Sequence, residues 1–190
     1  VGKIGDVGTV NFLLRIIADE EKLNLTALRA LVRIAEASKP RIVAEAERQL
    51  IQARFRESFP HQKIEALVDH LHSTPKREVK SFILKFLGWS RDERAVGVIL
   101  SHLELPDTSE VAAQALIDFG PGALPSILSA LQNEHEDEVI GLLLRVINVI
   151  GGRESIPSLL PFLDHDDPLI RRLAIEALGQ IPAPSSVDYL

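Results

Sequence analysis

Apolar residues recur along the chain in quartets at i, i+3, i+4 and i+7, the spacing that lines one stripe of an α-helix. The clearest quartet is Ile156, Leu159, Leu160 and Leu163. It recurs as Leu124, Ile127, Leu128 and Leu131, as Val96, Ile99, Leu100 and Leu103, as Ile64, Leu67, Val68 and Leu71, and near the start as Val10, Leu13, Leu14 and Ile17. From Ile64 onward the steps are 32, 28, 32 and 31 residues, the last reaching Val187, which with Leu190 opens another quartet. Each stripe predicts a short helix with one buried face.

A second set of stripes follows the first. After Leu163, Asp167 stands where an N-cap belongs, and Pro168 occupies the first helical position, where its missing N–H costs nothing. Ile170, Ala174, Ile175 and Leu178 then share a face, and Gly179 predicts a stop in positive φ. Glycines at 88, 120, 151 and 179 repeat this ending at steps of 32, 31 and 28 residues. Counting back from the first three gives Val79, Ile83, Leu84 and Leu87, then Val111, Ala115, Leu116 and Phe119, then Leu142, Val146, Ile147 and Ile150. The unit is therefore helix, tight turn, helix, stop. Ser73-Thr74-Pro75, Pro106-Asp107-Thr108, Asn133 with Glu136 as a capping box, and Asp167-Pro168 mark its turns. Pro161 lies deep enough in its helix to bend it.

Ahead of the regular units, helices are predicted near Thr9 to Asp19 and Leu25 to Ser38, with Asn24 as a cap. Pro40 to Ser58 reads as one extra, somewhat basic helix. The expected organisation is an irregular helical hairpin plus one helix over residues 1–60, then a repeat array over 61–190 that is cut short at its C-terminal end. With no methionine in the sequence, the chain is expected to be a piece of a longer or processed product.

Two antiparallel helices in about 30 residues resemble the HEAT repeat family, specifically its short bacterial branch of the phycobilin-lyase type. The resemblance is carried by Asp166 to Ile181, DDPLIRRLAIEALGQI, with weaker copies ending at Phe119-Gly120 and Ile150-Gly151. It covers residues 61–190 well and 9–38 loosely, and the tetratricopeptide pattern of aromatic and small residues is absent. The resemblance implies an all-α fold, a right-handed α-solenoid of antiparallel hairpins with the second helices on the concave side. One hairpin cannot bury both of its stripes, so each unit must cover its neighbour.

Charge and composition narrow the chemistry. The net charge is −6, with twelve Lys/Arg against eight Asp/Glu over residues 39–94, and eight acidic residues with no basic one over 95–144. The plain reading of this split is solvated outer faces, and the sharper one is steering of a partner. Absence of cysteine excludes disulfides and thiolate chemistry. No apolar run is long enough to span a membrane and no signal peptide is evident, so a cytoplasmic setting is expected.

Histidines 61, 70, 72, 102, 135 and 165 lie mostly near turns, and His70 and His72 point to opposite sides of one helix. HEAT hydroxylases carry a His-Glu pair inside the second helix, but the matching positions here are Ser81-Phe82, Ala113-Gln114, Leu144-Arg145 and Arg172-Leu173. The cluster Asp164-His165-Asp166-Asp167 reads as a capping turn, lacking the glycine and distal glutamate of a calcium loop. No metal, cofactor or catalytic residue is expected. Nucleic acid would need a continuous basic groove, which these positions do not supply, and Trp89 reads as a plug between repeats.

The positions seven and three residues before each glycine form the candidate partner-binding strip: Ser81 with Lys85, Ala113 with Ile117, Leu144 with Asn148, and Arg172 with Glu176. Its middle is small and apolar, suited to a docked peptide segment or helix of another protein; the alternative is that Ile117 and Leu144 are core. The expected function is a non-catalytic interaction scaffold. The other reading is a phycobilin-lyase-like enzyme or subunit holding a tetrapyrrole in the concave groove.

Overall fold

The computed structural model describes residues 7–19, 25–35, 41–59 and 63–182, and among these residues it is all-helical. Helices α1 (Val7–Asp19), α2 (Leu25–Ala35) and α3 (Arg41–Ser58) precede the regular units, as predicted. The expected cap at Asn24 and the stripe beginning at Val187 fall outside the described residues. Four hairpins follow. They are α4 (Lys63–Ser73) with α5 (Arg77–Ser90), α6 (Arg94–Ser101) with α7 (Ser109–Phe119), α8 (Leu124–Asn133) with α9 (Asp137–Ile150), and α10 (Ile156–Leu159), continued by a 3-10 segment, with α11 (Pro168–Gln180).

Burial follows the stripes. Ile64, Leu67 and Leu71, then Val96, Ile99 and Leu103, then Leu124, Ile127 and Leu131 are all buried, while the third member of each quartet (Val68, Leu100, Leu128) is half-buried against the core. One apolar interior therefore runs the length of the array, the arrangement expected of an all-α solenoid. Each second helix packs against the next second helix far more extensively than the first helices pack on one another. The second helices therefore form the more closely packed of the two layers, termed the inner layer, and the first helices the outer one.

The N-terminal helices join this core through aromatic rings. Phe55 of α3 stacks on Phe59 at 4.6 Å and meets Phe86 at 5.0 Å, while Trp89 approaches both Phe55 and Phe86 edge-on. Such pairs add about 0.5–1.5 kcal/mol each beyond area burial. Trp89 is 2% exposed, and its indole N–H donates to Asp118 of the next unit at 3.0 Å. It is the plug that the sequence suggested.

Several local expectations are corrected. Leu160 is exposed rather than buried, because Pro161 cannot donate to the helix ladder and the α-helix passes into a 3-10 segment at Leu160–Asp164, which rotates the stripe. Ile175 is also exposed. Of the four glycines only Gly120 takes a positive φ, 86°. Gly88 and Gly179 lie inside their helices, and Gly151 caps α9 in an extended conformation. Asn133 belongs to α8, where its side chain donates to the Ser129 carbonyl at 2.7 Å, and no capping box forms: the N-cap of α9 is Glu136, which makes no side-chain capping bond, while the turn before it is held by the Glu134 carboxylate accepting from the backbone N–H groups of His135 and Glu136. Asp167 does cap α11, accepting from Leu169 N–H at 2.7 Å, with Pro168 in the first turn.

Candidate functional site

The second helices start at Arg77, Ser109, Asp137 and Pro168, at steps of 32, 28 and 31 residues. This rhythm follows that of the first-helix quartets, 32, 28 and 32, to within one residue and differs from that of the glycines. The reason is the place of the glycine: Gly88, Gly120 and Gly179 each stand eleven residues after the start of their second helix, but Gly151 follows the end of α9 three residues later in register, so counting back from it shifts the alignment by three residues. Equivalent positions must be counted from helix starts.

In that register the accessible face of the second-helix layer includes two full rows. Eight residues after each start stand Lys85, Ile117, Arg145 and Glu176. One residue after each start stand Glu78, Glu110, Glu138 and Leu169, all exposed. Of the predicted strip, Lys85, Ile117, Arg172 and Glu176 do reach this face, Lys85 and Ile117 as half-buried residues. Ser81 is half-buried, and its hydroxyl donates to the Arg77 carbonyl at 3.0 Å. Ala113 and Leu144 are buried in the core, and Asn148 is half-buried with its side-chain carbonyl oxygen buried. Leu144 therefore packs between repeats and presents nothing to a partner. Its surface equivalents are Gly141 and Arg145, which periodicity missed because α9 is apolar on nearly every side. The mismatch between glycine steps and quartet steps was the available signal.

Ion pairs tie the face together. Arg145 donates to Glu110 of the preceding unit in a fork, at 2.9 and 3.1 Å, and those bonds raise the guanidinium pKa further above its ordinary value, outweighing some desolvation. Arg29 of α2 lies 3.9 Å from Glu78 and over the Phe82 ring, and Arg172 pairs with Glu176 at 3.6 Å. All are open to solvent, so each contributes less than about 1 kcal/mol to stability. Their effect on the surface is larger: adjacent units neutralise each other along the inner face, leaving Ile117 and the small residues Ser81 and Gly141 between charged flanks.

The turn edge is built differently. His102 at the end of α6 is buried, with Nδ1 2.9 Å from the Thr108 hydroxyl. Burial, followed by the positive charges of Lys80 and His72, pushes its pKa below the ordinary histidine value. Two surface pockets flank Pro106. One, of about 280 Å³, has Arg77, Lys80 and Leu105 in its wall; the other, of about 230 Å³, has Glu104, Glu134, Glu136 and Glu138. Among the described residues no group of three or more His, Asp or Glu side chains is placed to hold a metal ion, and no single helix is long and apolar enough to cross a membrane.

Residues 124–190 match the family model for HEAT repeats. No curated protein matches the chain.

Proposed function

Starting from the match of residues 124–190 to the HEAT-repeat family model, we propose that the array is a non-catalytic scaffold that docks a segment of another protein along its second-helix face. HEAT repeats commonly serve as protein-interaction scaffolds. The observation that carries the reading is the row Lys85, Ile117, Arg145 and Glu176, which repeats at one register on four successive inner helices. Beside it, Ser81 and Gly141 keep side chains short, so a partner backbone can approach closely while Ile117 offers apolar contact. An extended peptide or an amphipathic helix suits such a track.

The test is capture of interacting protein by the chain and by two surface variants, Ile117→Arg and Gly141→Gln. Gly141 tolerates a side chain, since a Cβ built there meets only Leu173 Cδ1 at 3.7 Å. Both variants should fold and lose the captured partner by tenfold or more, the equivalent of about 1.4 kcal/mol. Undiminished capture by both folded variants would remove the proposal. Leu144→Arg is unsuitable for this purpose, since it would place a charge in the core.

A further inference from the structure

Seven residues after the start of each second helix stand Leu84, Leu116, Leu144 and Ile175. The first three are wholly buried, whereas Ile175 is 60% exposed. The first layer repeats the contrast: Val68, Leu100 and Leu128 are half-buried against the core, and their equivalent Leu160 is 51% exposed. All eight side chains are large aliphatics in equivalent register. At Ile175 what differs is the neighbour, because each of the first three units has another unit stacked over this side; at Leu160 the 3-10 turn at Pro161 adds to the exposure.

We propose that the side of the last described unit carrying Leu160 and Ile175 is a socket for one further helical hairpin of the same repeat pattern. The face continues an interface already built three times in this molecule, and its occupant is fixed by the same chemistry: a helix pair with aliphatic stripes, whose second helix lies against α11 as α9 lies against α7. A charged or extended segment would strip water from its own polar groups against Leu160 and Ile175 and receive no partners there. This socket is separate from the inner docking face, and neither requires the other.

The experiment compares the 190-residue chain with a version in which the residues after Ser186 are replaced by a copy of Leu124–Gly151, which keeps the quartet register. Hydrogen exchange of α11 amides and the thermal midpoint are read in both, each with and without Ile175→Glu. In the extended chain α11 exchange should slow by about tenfold or more and the midpoint should rise by several degrees, as nearest-neighbour stabilisation requires. Ile175→Glu should leave the 190-residue chain folded and nearly unchanged, and abolish the gain in the extended one. An extended chain with no added protection, or a gain that survives Ile175→Glu, would overturn the proposal. So would a concentration-dependent dimer of the 190-residue chain that Ile175→Glu dissociates, which would assign the face to a second copy.

Discussion

Gly88 and Gly179 occupy the same register, eleven residues after the starts of α5 and α11, and the structure assigns opposite signs to one substitution at the two sites. A Cβ added at Gly88 would lie 2.4 Å from the carbonyl oxygen of Ala115 and 2.9 Å from its Cα, contacts with the backbone of α7 that no side-chain rotation relieves. At Gly179 nothing stands within 4 Å. Exchanging glycine for alanine inside a helix gains roughly 0.5–1 kcal/mol from the restricted unfolded chain. Forcing α5 and α7 apart costs about 1–3 kcal/mol by the usual scale of overpacking, and this site belongs at the upper end because backbone meets backbone. Gly88→Ala should therefore destabilise by about 1–2 kcal/mol net, and Gly179→Ala should stabilise by up to about 1 kcal/mol. For a chain of this size, each kcal/mol moves the thermal midpoint by about 2–4 °C. Urea and thermal unfolding followed by far-UV circular dichroism read both. Gly88→Ala equal to or more stable than the parent would refute the close packing of α5 on α7 and the account of the inner layer built on it.

Other expectations follow from the same register. Leu144→Ala should cost about 2–5 kcal/mol and Ile175→Ala under about 1 kcal/mol in urea unfolding, since the first is buried and the second exposed. Ser155→Ala should be neutral or stabilise by about 1 kcal/mol, because the buried Ser155 hydroxyl has no hydrogen-bond partner and the equivalent positions, Ala95 and Ala123, are alanine. His102 has its pKa lowered in the folded chain, so it takes up a proton on unfolding; its contribution is intact above about pH 6.5 and is lost as pH falls toward the folded value. The unfolding free energy of the parent should accordingly fall more steeply between about pH 7 and pH 5 than that of His102→Gln, and parallel pH profiles would contradict this.

Most of the architecture was legible because the amphipathic stripes of the first helices are unambiguous. Ile64, Val96 and Leu124 announce their units, and only a buried stripe explains their spacing. The cap at Asp167 and the plug at Trp89 were legible for similar reasons, each residue type having one economical use at its place. The candidate site was less so. Gly88, Gly120, Gly151 and Gly179 look alike in sequence, yet one relieves a backbone contact, one supplies positive φ, one caps its helix three residues later in register and one sits in open space. Using them as a common ruler moved the site from Gly141 and Arg145 to Leu144 and Asn148. Leu160 misled differently: its spacing is right, but Pro161 changes the helix type beneath it.

The docking face itself is tested most directly by site-specific photo-crosslinking, with a photoreactive residue placed either at Ile117 on the inner layer or at Ser129 on the outer one, in the presence of the captured partner. Crosslinks from position 117 and none from position 129 are predicted. Crosslinks from position 129 with none from 117 would contradict the inner-face account.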